Sequence, residues 1–307
     1  MRVPRMRIAH ISDLHLLDWT GVSPLQFLNA RFTGWLNMRF RRKSIHRATY
    51  VQAIAERLHE DNVDHVIITG DITNLALESE FAFAKRVLED SLRMSPRDVT
   101  IVPGNHDAYT FGSYTKGRFG RTFREYLESD LPDLTVATPL GRFPVVKLRG
   151  NAAVIGLSSA VPRFPFVAAG ELGRAQLTAL AEVLVHPEVM QRTPIIALHH
   201  PLDRPQSPLK AWLEGLRDAE PIEKLLRGAK KALVVHGHLH RRLDRPTADG
   251  IRMVGATSAS LHHHDQGRMA AFNMYELKEG RFHAWSEVYE ATSNTFVPMA
   301  VPTTGWE

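Results

Sequence analysis

Five short motifs hold the residues best suited to chemistry: Asp13-Leu14-His15, Gly70-Asp71, Gly104-Asn105-His106-Asp107, His199-His200 and Gly237-His238-Leu239-His240. Their side chains are carboxylates, imidazoles and one amide, the nitrogen and oxygen donors that suit divalent transition ions. Taken singly, each has a plain structural explanation: Asp13 or Asp71 as a helix N-cap, His15 as a loop residue, Asn105 as a turn former. Five such motifs in succession suit a pair of divalent ions held about 3.5–4 Å apart, which requires a shared carboxylate, and Asp71 is the natural bridge. In Asp-x-His and His-x-His, alternate residues share one side of an extended backbone, so His238 and His240 are expected to face the same way. Two carboxylates with neutral His and Asn leave about two positive charges uncompensated on such a pair, making an anion receptor that acidifies a bound water. A phosphate-bearing substrate suits it.

Each motif closes an apolar run of strand length. The runs are 7–13, 64–71, 99–107, 152–159, 193–200, 232–240 and 251–258, all rich in Val and Ile and bounded by Gly, Pro or Asp. Helical periodicity fills 47–60, 78–93 and 170–185 between them. Strand alternating with helix predicts an α/β architecture, largely parallel at first, with the motifs along one carboxyl edge of the sheet. Residues 270–290 alternate around Lys278-Glu279-Gly280 and predict a hairpin. The domain is expected to span 1–290, with 291–307 as a surface tail. The aromatic and basic insertion at 17–48 is too long for an ordinary strand-to-helix connection. It reads first as a packed surface insertion; a lid over the site and a patch on a lipid surface are the other readings.

Composition removes several classes. With 307 residues and 44% hydrophobic content the chain can build a full core, and with no cysteine it has neither disulfides nor thiolate metal sites. No apolar stretch approaches the length of a membrane span, and the first residues lack a signal core, so a cytoplasmic setting is expected, with peripheral membrane contact through 18–48 as a variant. A net charge of +5 favours anionic substrates without implying nucleic acid, which is not expected as a partner. Oligomeric state is left open.

The ordered motifs resemble the signature of the calcineurin-like metallophosphoesterase superfamily, and "GDITN", "GNHD" and "LHHP" are similar in style to its cyclic-nucleotide phosphodiesterase branch. The resemblance implies a four-layer αββα sandwich with two mixed sheets flanked by helices. It implies one metal held by Asp13, His15, Asp71 and His240, and a second held by Asp71, Asn105, His199 and His238. Mn or an Fe/Mn pair is preferred, with Zn as the alternative. A hydroxide bridging the ions would attack phosphorus, with His106 near the leaving group and Asp107 orienting it or serving as an N-cap. Asn74 and His200 are offered as substrate or supporting contacts, and His236 as a hydrogen-bonding support beside the ligands. His262, His263 and His264 read as an exposed loop, with substrate contact if that segment returns to the site. His10, His46, His59, His65, His186 and His283 receive no role. The functional reading is a phosphodiesterase acting on a small anionic phosphoester. A lipid-linked phosphate or pyrophosphate is second, and nuclease and metal-free scaffold readings rank below it.

Overall fold

The computed structural model describes residues 5–22, 46–164, 166–203, 205–229, 231–247 and 250–303, so 23–45, the bulk of the 17–48 insertion, lies outside the described residues. In chain order the strands are β1 (Met6–Ile11), β2 (His65–Thr69), β3 (Val99–Val102), β4 (Val136–Thr138), β5 (Gly141–Phe143), β6 (Val145–Arg149), β7 (Ala152–Gly156), β8 (Thr193–Ala197), β9 (Leu233–His236), β10 (Leu243–Pro246), β11 (Arg252–Gly255), β12 (Ala271–Lys278), β13 (Arg281–Glu290) and β14 (Thr295–Ala300). The helices are α1 (Ala48–Glu60), α2 (Glu78–Val87), α3 (Phe111–Thr115), α4 (Arg118–Thr122), α5 (Arg174–Leu184), α6 (Pro187–Met190), α7 (Pro208–Glu214) and α8 (Ala219–Leu226).

The strands form two six-stranded mixed sheets, ordered β14-β13-β12-β1-β2-β3 and β10-β11-β9-β8-β7-β6, with β4 and β5 as a separate pair. In the first, β1, β2 and β3 run parallel and the β12–β13 hairpin joins antiparallel. In the second, β7, β8, β9 and β11 run parallel between antiparallel β6 and β10. The motif strands are therefore divided between two sheets rather than lined along one. Strand β14 is the other departure. The stretch expected as a surface tail pairs with β13 along the sheet edge, where Phe296 is buried while Thr295, Pro298, Met299 and Ala300 stay exposed.

The period-2 alternation of the strands builds the layers. On β1 Ile8 joins a core with Ile67, Val154, Ile195, Val235 and Val254 from both sheets, while Ala9 and Ile11 point the other way toward helices α1 and α2. On β8 and β9, Ile195 and Val235 enter the inter-sheet layer, and Ile196 and Val234 pack beneath α5 and α8. Helices enclose both sheets, which makes the αββα sandwich. Helix α1 shows why: Tyr50, Val51, Ile54, Ala55 and Leu58 form one buried stripe, each larger apolar side chain contributing about 1.5–3 kcal/mol on burial. Among the described residues no helix is long and apolar enough to cross a membrane.

Candidate metal centre

The carboxyl ends of β1, β2 and β3 meet those of β8 and β9 at one end of the sandwich. One closing hydrogen bond runs between the sheets, from the His199 Nδ1–H to the Thr69 carbonyl at 2.7 Å, and another extends the β8–β9 pairing within the second sheet, from the Gly237 N–H to the His199 carbonyl at 3.1 Å. Beyond the strand ends the backbone turns left-handed at Asp13 (φ 52°), His15 (φ 45°), Asp71 (φ 49°), His238 (φ 69°) and His240 (φ 50°). Non-glycine residues rarely adopt this conformation, and a run of them at one site is strain held by its surroundings. Extended alternation thus does not align His238 with His240, as expected from the sequence. Each sits at a kink of its own, and the two rings serve opposite halves of the centre. Two glycines allow the loops to close this tightly. A Cβ on Gly237 would stand 1.9 Å from Ser12 Oγ and 2.5 Å from Asp13 Oδ2, and one on Gly104 would stand 2.2 Å from Asp71 Oδ1.

The seven candidate ligands fall into two groups that share Asp71. On one side His240 Nε2 lies 3.1 Å from Asp13 Oδ1 and 3.2 Å from His15 Nε2, and His15 Nε2 lies 4.0 Å from Asp71 Oδ2. On the other, His199 Nε2 lies 3.4 Å from Asp71 Oδ2 and 3.0 Å from Asn105 Oδ1, with His238 Nδ1 3.2 Å from the same amide oxygen. Asp13, His15, Asp71 and His199 are buried. Burial acts to raise the Asp71 carboxyl, but the imidazoles of His199, His106 and His15 outweigh it and hold it well below the usual carboxylate range. Burial disfavours charge on His199, yet Asp71 and Asp13 raise it to about 9. Burial and then the neighbouring His199 push His238 down to about 3. The donor set fits a pair of divalent ions. Asp13 Oδ1, though buried, accepts no hydrogen bond, and inward-facing imidazole nitrogens 3.2 Å apart repel unless a proton or cation lies between them.

Residues 6–242 match the family described as Calcineurin-like phosphoesterase. This chain belongs to that family. Its dinuclear metal centre is accordingly a family feature. Among curated relatives, an acyl-carrier-protein phosphodiesterase of Mycobacterium tuberculosis is 29% identical over 130 residues, 42% of this chain and 38% of the relative. A cAMP/cGMP dual specificity phosphodiesterase of the same species is 25% identical over 189 residues, 61% of this chain and 52% of the relative. The chain thus spans about half or less of the length of these relatives. A dimetal phosphatase of Danio rerio shares the fold, with a TM-score of 0.61 at 15% identity, over 96% of this chain and 99% of that one.

Around the centre of this calcineurin-like phosphoesterase, several expected roles change. The Asp107 carboxylate does not orient His106. Its Oδ1 accepts the Thr73 N–H and hydroxyl, both at 2.9 Å, and its Oδ2 accepts the Gly104 N–H at 2.9 Å and the Ile72 N–H at 3.3 Å, so it ties the loop of Asp71 to that of Asn105. Burial, with Asp71 nearby, raises it to about 6. His106 is oriented instead by the Asn74 carbonyl, which lies 2.7 Å from Nδ1, and its Nε2 faces Asp71 Oδ2 at 4.0 Å. The Asn74 amide, offered as a substrate contact, donates to the His15 carbonyl and so braces a candidate ligand. Although His200 lies beside His199 and His238, its Nδ1 pairs with Ser159 Oγ and its Nε2 with the Ala168 carbonyl, both at 2.8 Å, which leaves neither nitrogen for a cation. His236 bonds through Nδ1 to the Gly237 carbonyl at 2.9 Å, supporting the loop that carries His238. The segment before His262 does return to the site: the Ser258 hydroxyl donates to the Asp13 carbonyl at 2.5 Å. His262 itself lies 2.7 Å from the Tyr50 hydroxyl.

Two histidines without a sequence signal belong here. The His46 ring centroid lies 4.8 Å from that of His15 and 6.3 Å from that of His240, and its Nδ1 bonds Ser260 Oγ at 2.7 Å. His10, beneath the centre, bonds Thr69 Oγ1 at 2.8 Å and the Tyr275 hydroxyl at 3.0 Å. Only its place in the alternation of β1, on the Ile8 face, could have signalled that it enters the inter-sheet layer.

Proposed function

We propose that the chain is a dinuclear metal-dependent phosphodiesterase acting on a small anionic phosphoester. The observation that carries this reading is the single carboxylate of Asp71, which lies between the Asp13, His15 and His240 group and the Asn105, His199 and His238 group. These seven residues would hold two ions: their imidazole, carboxylate and amide donors suit Mn, Fe or Zn, and the family resemblance favours Mn or an Fe/Mn pair with Zn as the alternative. When bound, the ions would supply Lewis acidity and excess positive charge at the strand ends.

The remaining steps fall to the chain's own residues. With Nδ1–H donating to the Asn74 carbonyl, His106 is oriented so that Nε2 faces the centre, where a second proton can be delivered to a departing alkoxide. Asp107 keeps the Asp71 and Asn105 loops in register. His200 and Ser159 form a wall on the His238 side. The cytoplasmic setting expected from the sequence accompanies this reading.

The test compares bis(p-nitrophenyl) phosphate with p-nitrophenyl phosphate in chelated protein and after reconstitution with Mn, Fe or Zn. The diester should be preferred, turnover should vanish on chelation and return with metal, and Asp71→Asn should lose metal and activity together. Full activity in metal-free protein, or full metal occupancy in Asp71→Asn, would refute the reading. A lipid-linked substrate stands second, because Phe164, Phe166, Leu209 and Trp212 are all more than half exposed on segments joined to the His200 wall by the Ala168 contacts with His200 and Leu213. Co-sedimentation with anionic vesicles, lost on Phe166→Ser with Trp212→Ser, would move it ahead.

A further inference from the structure

At the other end of β9 from Gly237 lies a cavity of about 410 Å³ enclosed by the end of α8, the starts of β9 and β11, and the β12–β13 turn. Four cations line it, Arg227, Lys231, Arg252 and Arg281, over an apolar floor that includes Ile251 and Phe282. Among the described residues, no carboxylate lines it. Asp244 takes up Arg252 through paired contacts of 3.0 and 2.5 Å, and a further guanidinium N–H of Arg252 donates to the Phe282 carbonyl at 2.8 Å, which fixes that group as a rigid wall. Lys231 and Arg281 have no carboxylate within 4.0 Å among the described residues, so their charges add to one another. The backbone is shaped around the space as well. Lys231 is left-handed at φ 75° without being glycine, and its Nζ reaches the β12–β13 turn, 3.5 Å from where a Cβ on Gly280 would lie.

Arg227, Lys231 and Arg281 stand exposed around the opening, and like charges grouped at one place attract an anion. The cations come from the α8–β9 connection, β11 and β13, on different sides of the cavity lining, which suits a tetrahedral, multiply charged acceptor better than a planar carboxylate. An apolar floor beside them suits an organic group of the size that cavities of a few hundred Å³ enclose. From this we infer that the cavity is a second anion site, distinct from the metal centre, for a small phosphorylated organic molecule. The site is independent of the phosphodiesterase reading, since none of its residues belongs to the metal centre.

Calorimetric titration of the full chain after metal chelation tests it, with AMP, inorganic phosphate and acetate as probes. AMP should bind saturably at one site with the metals absent, phosphate more weakly, and acetate not at all. K231E with R281E should weaken AMP binding at least about tenfold, while metal-loaded diester turnover and the melting temperature stay at wild-type values. Phosphate binding as tight as AMP, equally lost in that variant, would keep the anion site and assign it to free phosphate. Absence of saturable binding of both phosphates to the chelated protein, or affinity unchanged by K231E with R281E and by R281Q alone, would overturn the proposal.

Discussion

At the scale of single residues, the centre depends on which atom of each side chain faces inward. His106 shows how indirectly that is set. Its Nδ1 is held by a backbone carbonyl, that of Asn74, whose own amide holds the His15 carbonyl. Substituting His106 removes the inward Nε2 without touching any of the seven candidate ligands. His106→Ala should therefore lower diester turnover by at least about tenfold while retaining both metals, measured as kcat alongside elemental analysis; wild-type turnover would remove His106 from proton transfer. Asp107 illustrates the opposite outcome. The family resemblance implied that it orients His106, with an N-cap role as the alternative, yet four hydrogen bonds direct it to the backbone and side chain of neighbouring loops. Residue type did not distinguish these roles, because a carboxylate accepts from backbone N–H groups as readily as from an imidazole.

At the scale of elements, the strand ends do the positioning. The seven apolar runs and the three helical stretches were legible in the sequence, since hydrophobic period is a local property. The kinks that follow the strands were not. Five left-handed residues turn the ligands inward, and the loops then approach so closely that Gly237 has no room for a methyl group. Gly237→Ala should displace the Asp13 and Ser12 loop, destabilise the fold by about 1–3 kcal/mol and reduce metal stoichiometry on the Asp13 side. Metal analysis with thermal unfolding checks this, and an unchanged metal content would show that the close approach is not required. The β14 edge strand was not legible in the sequence because Pro298 and the polar residues before Phe296 suit a solvent-facing edge as well as a tail.

At the scale of the whole molecule, the layer between the sheets is polar as well as apolar. His10 and His65 both enter it, and burial is the main reason each is pushed down to about 3. His65 bonds Thr100 Oγ1 at 2.9 Å. Because both folded values lie below the ordinary 6.5, the unfolded chain binds these protons first. Stability therefore falls as pH drops from about 6.5 toward 3, by up to about 1.4 kcal/mol per pH unit for each histidine. Urea unfolding of metal-depleted protein between pH 8 and 4 should show this decline, and His65→Gln should make it shallower by about one proton. An identical pH slope in that variant would place the acid sensitivity elsewhere.

From the sequence alone came the candidate donors and their order, the strands and helices that carry them, and the class of chemistry, because residue type and period are local quantities. Tertiary structure decided which candidate donors stand together: His240 meets Asp13, 227 positions away in chain order, only because two separate sheets bring their carboxyl ends together. It also brought His46 beside His15, withdrew both nitrogens of His200, and gathered four cations at the far pole. Such proximity arises from packing between layers, where the contacts that matter are made by residues far apart in the chain.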